Sequence, residues 1–197
     1  MISETAKRMR AGAVAQRNMG WVPLPVYGDE FYTPPRIVTA LGPFDLDPCA
    51  GPMAHAARNL RREEDGLAQT WAGRVWLNPP YSTIEDWIER FIQHGNGIAF
   101  VNARPDTQWF QTLAAKADAV LWLRGRVHCL RPEGVKQTKA TVGSVLVAYG
   151  DRNAAALLAS GLPGVVMTVR HCTPNPGVLP PAAPAGREQR VVGGPND

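Results

Sequence analysis

Short apolar runs separated by amphipathic stretches recur along the chain. Phe44-Asp45-Leu46-Asp47, Arg74-Val75-Trp76-Leu77, Ile98-Ala99-Phe100-Val101, Ala119-Val120-Leu121-Trp122-Leu123, Ser144-Val145-Leu146-Val147-Ala148-Tyr149 and Val165-Val166-Met167-Thr168-Val169 read as strands. Ser82 opens the clearest helix: Ser82 and Glu85 have the spacing of a capping box, and Ile84, Trp87, Ile88 and Phe91 fall on one face before Gly95 and Gly97 end it. Asp106 or Thr107 caps a second helix carrying Trp109, Phe110, Leu113 and Ala117. Phe31-Tyr32-Thr33-Pro34-Pro35 reads as an extended turn opening a short helix, since proline suits a first helical turn. The stretch 53–62 fits helix or loop. Continuously apolar strands alternating with amphipathic helices predict an α/β protein whose mixed, mostly parallel sheet carries helices on both faces. In such sheets ligands bind beyond the carboxyl ends of the strands. That rule singles out Asp47-Pro48-Cys49-Ala50 and Asn78-Pro79-Pro80-Tyr81, each just after a strand.

At 197 residues the chain has room for one domain. Residues 1–28 form a basic, flexible lead-in with Lys7, Arg8, Arg10 and Arg17, and 173–197 a Pro/Gly-rich tail expected to be disordered, which leaves 29–172 as the folded domain. No run approaches the ~18–20 apolar residues that cross a bilayer, and the N-terminus lacks the apolar stretch of a secretory signal. Cys49, Cys129 and Cys172 lack metal-ligand spacing, and His55, His94, His128 and His171 are scattered, which points away from a metal site and toward a reduced, cytoplasmic compartment. A net charge of +4 suggests a polyanionic partner. Arg124, Arg126, Arg131, Lys136 and Lys139 lie close together with only Glu133 opposing them, either as a solvated surface or as a phosphate-binding stretch.

The sharpest chemical signal is Asn78-Pro79-Pro80-Tyr81. Consecutive prolines cannot continue a strand ladder, so the backbone leaves the sheet stiff and extended, presenting the Asn78 side chain, the Pro79 carbonyl and an aromatic ring. Those parts suit a planar base with an exocyclic amine: two acceptors take its N–H bonds while Tyr81 stacks on the ring. Adenine N6 is a poor nucleophile because its lone pair is delocalised into the ring. Acceptors that draw its hydrogens toward a tetrahedral arrangement concentrate that lone pair on an electrophile. A carboxylate followed by small residues, as in Asp47-Pro48-Cys49-Ala50, can hold a ligand's ammonium. Asp65-Gly66-Leu67 offers an acceptor for an amino group or is simply a turn, and Thr33-Pro34 could serve a ligand carboxylate or cap a helix. Arg104-Pro105-Asp106-Thr107 also lies on the binding edge, with Asp106 a helix cap or a ligand contact.

Taken in order, Phe31-Tyr32-Thr33-Pro34, Phe44-Asp45-Leu46-Asp47-Pro48-Cys49-Ala50, Asp65-Gly66-Leu67, Trp76-Leu77-Asn78-Pro79-Pro80-Tyr81-Ser82 and Arg104-Pro105-Asp106-Thr107-Gln108-Trp109-Phe110 resemble the phage-encoded DNA N6-adenine methyltransferases over about residues 29–150. The resemblance implies a Rossmann-like fold using S-adenosyl-L-methionine, encoded by a phage or prophage and acting in a bacterial cytoplasm on double-stranded DNA. It implies that Tyr32, Thr33 and Pro34 contact the methionine end of the cofactor, that Asp47, Cys49 and Ala50 line its pocket, and that Asp65 faces its adenine. Asn78, Pro79, Pro80 and Tyr81 would form the catalytic motif. The chain departs from the pattern in a degenerate glycine loop, where Gly51 is followed by Pro52, and in the short stretch 51–65, which leaves Glu63 or Glu64 for the ribose.

The expected reaction is direct methyl transfer to N6 of a flipped-out adenine. Arg104 and the stretch Arg124, Arg126, Arg131, Lys136 and Lys139 would hold phosphates. The same motif also serves methylation of RNA amino groups and of protein glutamine, and a DNA-binding relic without a cofactor is the non-enzymatic rival. Replacing Arg131, Lys136 and Lys139 together by Glu is expected to abolish duplex binding in a fluorescence-anisotropy titration while cofactor affinity holds. Unaltered DNA affinity would exclude this stretch as the phosphate contact.

Overall fold

Strands whose successive side chains enter two different hydrophobic layers organise the protein, a computed structural model of which describes residues 31–130 and 141–168. Its strands are β1 (Leu46–Asp47), β2 (Arg58–Asn59), β3 (Val75–Leu77), β4 (Gly97–Asn102), β5 (Ala119–Leu123), β6 (Ser144–Tyr149) and β7 (Gly164–Thr168), and its helices α1 (Pro35–Leu41), α2 (Ile84–His94), α3 (Gln108–Ala115) and α4 (Asp151–Ala159). On one face Val75, Leu77, Ala99, Val101, Val145 and Val147 pack against Trp87, Ile88 and Phe91 of α2 and Phe110 and Leu113 of α3. On the other, Trp76, Ile98, Phe100, Leu121 and Leu146 pack against Ile37, Val38 and Leu41 of α1 and Leu157 of α4. Residues one apart therefore serve opposite layers, as the strand period of two requires. Helices cover both faces, as expected.

The strand order is β2-β1-β3-β4-β6-β5-β7. β2, β1, β3 and β4 pair in parallel, while β6 runs antiparallel to both β4 and β5, and β7 antiparallel to β5. The expectation of a mostly parallel sheet needs correcting on this point, because parallel pairing stops at β4. Inserting β6 between β4 and β5 makes the other half of the ladder antiparallel. β1 to β5 nonetheless point one way, so their carboxyl ends share one edge. From β1 the chain goes outward to β2, and from β3 it goes to β4 on the other side, so the strand order reverses between β1 and β3.

Several local features differ from the sequence reading. Part of the stretch 53–62 is neither helix nor loop but β2, and α4 was not anticipated. Ser82 is not the residue at which α2 opens: it lies in a single 3-10 turn at Tyr81–Thr83, and α2 starts at Ile84 with Thr83 as an N-cap that makes no side-chain cap bond. The Pro79-Pro80 exit holds Pro80 extended at φ −65° and ψ 139°, so the first helical turn tightens before α2 begins. The second helix begins at Gln108 with Thr107, not Asp106, as N-cap, and ends before Ala117. At the amino edge of the sheet Arg74 is 3% exposed, its Nη1 donating to the Pro43 carbonyl at 2.9 Å and its guanidinium lying 4.2 Å from the Phe44 ring centre. The terminal segments 1–28 and 173–197 lie outside the described residues, as does Val169.

Candidate active site

Leu46 of β1 pairs with Val75 of β3, and just beyond that pair the two strands run out into Asp47-Pro48-Cys49-Ala50 and Asn78-Pro79-Pro80-Tyr81. Because the chain leaves these neighbours in opposite directions, the edge opens into a crevice. A cavity of about 970 Å³ fills it, and Tyr32, Thr33, Asp47, Cys49, Ala50, Asp65, Asn78 and Pro80 all line it. Eight of the sequence-predicted cofactor and catalytic residues, drawn from four separate stretches, are thereby brought together.

Close backbone contacts shape the cavity. A side chain at Gly51 would collide with the Tyr32 ring, and one at Gly66 with the Pro48 carbonyl, so both glycines are needed for the walls to meet. Tyr32 is held in turn by a two-way backbone bridge to Leu130, each N–H donating to the other's carbonyl at 2.8 Å. Asp65 adopts a left-handed conformation at φ 46° after the short 3-10 turn Arg62–Glu64. Asp47, 2% exposed, accepts the Cys49 backbone N–H on Oδ1 at 3.2 Å. Burial pushes its carboxyl up to about 7, against the lowering effects of that bond and of Arg61 nearby. The Thr33 hydroxyl is buried in the wall with no hydrogen-bond partner.

The catalytic candidate is anchored at both ends of its residue. Asn78 Nδ2 donates to the Phe31 carbonyl at 2.7 Å, which turns Oδ1 to the other side of the amide as an acceptor. The Asn78 backbone carbonyl accepts the Cys49 thiol at 3.2 Å. Pro79 is buried and does not line the cavity; Pro34 also lies off it, its carbonyl accepting the Ile37 N–H at 3.0 Å at the start of α1. Tyr81 is not among the lining residues either. Its hydroxyl accepts the Asn102 N–H at 2.7 Å, and its ring stands edge-on to Trp109, centres 6.3 Å apart at 68°. Burial raises the hydroxyl's pKa, so it stays protonated.

The cavity also takes in residues that sequence reasoning did not assign to it: Arg61 and Arg62 beyond β2, Met53, His55, Thr83 and Trp87. Trp87 was legible only as a core position of α2, and the two arginines follow a strand too short to recognise. Of the acidic pair, Glu63 lines the cavity, whereas the Glu64 carboxylate is taken by the Arg61 N–H at 2.7 Å. Arg104, Arg124 and Arg126 are exposed on the same carboxyl edge, following β4 and β5, and Arg104 Nε lies 3.4 Å from Asp106 Oδ1. Arg131, Lys136 and Lys139 lie outside the described residues. Among the described residues no cluster of His, Cys, Asp and Glu could hold a metal ion, and no helix is long and apolar enough to cross a membrane.

Residues 25–158 match the family described as DNA N-6-adenine-methyltransferase (Dam). A curated relative, the DNA N-6-adenine-methyltransferase of Escherichia phage T1, is 28% identical over 106 residues, covering 48% of this chain and 44% of the relative, so the match spans less than half of that protein's length. No solved structure matches the chain.

The Asp47 carboxyl makes a pH prediction. Its folded pKa lies above the ordinary carboxylate value, so folding favours the protonated form, and the stability it contributes is present below pH ~4 and lost as pH rises through about 7. Urea unfolding should show the wild type losing on the order of 1 kcal/mol per pH unit across that window relative to Asp47→Asn. Parallel curves for the two proteins would contradict a buried, protonated Asp47.

Proposed function

This chain belongs to the DNA N-6-adenine-methyltransferase (Dam) family, and from that premise we propose that it transfers a methyl group from S-adenosyl-L-methionine to N6 of an adenine flipped out of double-stranded DNA. The observation that carries the reading is the placing of Asn78, its amide turned by the Phe31 carbonyl, on the wall of the same cavity that Asp47 and Thr33 line. The sheet supports a Rossmann-like assignment: strand order reverses between β1 and β3, and the cavity lies beyond their carboxyl ends.

The wall fits the cofactor's chemistry. Asp47 ionises readily beside a cation, because an ammonium placed against it offsets the burial that holds it protonated. The unpartnered Thr33 hydroxyl has a donor to spare for a carboxylate, and the Tyr32 ring lies close enough to Gly51 to exclude a side chain there. Glu63 is the acidic residue left for ribose hydroxyls, and Asp65 the acceptor for an adenine amino group. When bound, the cofactor supplies a methyl group on a sulfonium, already activated for attack. Asn78 Oδ1, on the cavity wall, accepts one N6–H bond and orients the lone pair, and the Pro79 carbonyl, buried behind that wall before the base enters, is assigned the other. Tyr81, beside the cavity rather than on its wall, is held through its hydroxyl to Asn102 and braced by Trp109, and we assign its ring to the extruded base.

Arg104, Arg124 and Arg126 share the edge on which the cavity opens, and Arg131, Lys136 and Lys139 follow Leu130 in sequence; together they are the proposed phosphate contacts. We place the catalytic unit at 29–172, working in the cytoplasm of a bacterial host and encoded by a phage or prophage.

Incubation of the protein with methyl-labelled S-adenosyl-L-methionine and unmethylated duplex, followed by nucleoside analysis, should put label in N6-methyladenine. Asn78→Ala should lose it by about two orders of magnitude or more. Label on RNA or protein instead would move the reaction to those substrates, and absence of cofactor binding would leave a DNA-binding relic.

A further inference from the structure

The two loops that frame the cavity are joined across the crevice by one side chain. Cys49 lies in the loop after β1 and lines the cavity, and its Sγ is 3.2 Å from the backbone carbonyl of Asn78, in the loop after β3. That carbonyl belongs to the peptide between Asn78 and Pro79. β3 ends at Leu77, and Pro79 has no N–H with which to carry a ladder onward, so the regular sheet stops supporting the backbone at the residue whose orientation matters most. The Asn78–Pro79 peptide also sets where the Pro79 carbonyl points, because the Pro79 ring fixes φ and the following Pro80 restricts ψ of Pro79 to the extended region. Cys49 is itself tied down at its own N–H, which donates to Asp47 Oδ1 at 3.2 Å.

We propose that Cys49 is a positioning residue for the catalytic motif: its thiol donates to the Asn78 carbonyl and so holds the Asn78–Pro79 peptide in the plane from which both acceptors reach the substrate amine. This rests on the methyltransferase reading and adds to it a physical link from Asp47, on the cofactor side, through Cys49 to Asn78. The thiol suits the task because burial beside Asp47 keeps it protonated, and therefore a donor, across the physiological pH range. Phe31 holds the other end of the same residue through the side-chain amide. Asn78 is thus oriented from two segments, each of which also lines the cofactor cavity.

A purely space-filling role for Cys49 makes a different prediction from a donor role, and two substitutions separate them. Cys49→Ala removes the donor and some volume; Cys49→Ser keeps a donor in a slightly smaller side chain. With the full-length protein, the duplex substrate and S-adenosyl-L-methionine, kcat should fall about tenfold in Cys49→Ala and recover to within about threefold of wild type in Cys49→Ser. Because Cys49 also lines the cavity, kcat is read at saturating S-adenosyl-L-methionine, the dissociation constant of each variant being measured from intrinsic tryptophan fluorescence. Thermal unfolding checks that each variant is folded, and Cys49→Val takes the place of the alanine variant if that one unfolds. Wild-type kcat in the donor-free variant, equal losses in Ala and Ser, or a loss in kcat that tracks weakened cofactor binding would each overturn the proposal. If the wild type transfers no methyl group to DNA, the functional reading has failed instead. Cys49 then loses its assignment with it.

Discussion

Everything at the candidate site depends on the parting of β1 and β3. The two strands pair through Leu46 and Val75, yet one delivers the chain to β2 and the other to β4, on opposite sides. Their following loops must leave the edge in opposite directions, and the space between them is filled by no element of the sheet. A crevice is the geometric result of the strand order, independent of which residues line it. Asp47 and Asn78 face a common cavity because Asp47 is the last residue of β1 and Asn78 the first after β3, where the two chains diverge.

A crevice held open at a sheet edge loses ladder bonds, and the local structure supplies substitutes. Phe31, Cys49 and Asn102 provide an acceptor, a thiol donor and an N–H that fix Asn78 and Tyr81, while the Tyr32–Leu130 bridge fastens the segment that carries Phe31. Each bond is worth about 1 kcal/mol in stability, and its larger effect is on orientation. Beneath them the fully buried Val75, Trp76 and Leu77, packed on two sides, give the loops a rigid base. These bonds fix Asn78 and Tyr81 before any ligand arrives.

Most elements readable from sequence are those whose burial is nearly complete; β7, exposed at Val165 and Met167, is readable from its apolar run alone. β3, β4, β5 and β6 announce themselves as apolar runs because both faces of the sheet are covered, and α2 because its apolar face repeats at helical spacing. β2 escapes detection because it consists of exposed Arg58 and half-buried Asn59 at the sheet's edge, with no apolar pattern to betray it. α4 escapes because Gly150, a residue without a capping side chain, precedes a short run of alanines. The proline pair marked where the chain leaves the sheet, but neither the 3-10 turn that displaces the start of α2 nor the turning of Tyr81 toward Asn102 and Trp109 is written in local spacing. The first follows from the extended Pro80 that precedes it, and the second from contacts with β4 and α3, distant in sequence. For the same reason Asp47 and Asn78 could be nominated singly from sequence, while their shared cavity required the strand order.

The most direct test of the central claim, that cofactor and substrate amine meet between the ends of β1 and β3, is a crystal structure of the protein with S-adenosylhomocysteine and a duplex containing an extruded adenine. The account predicts the ligand's ammonium against Asp47, with Asn78 Oδ1 and the Pro79 carbonyl at hydrogen-bond distance, about 3 Å, from N6. A base seated away from Asn78, or a cofactor bound outside the crevice, would contradict it.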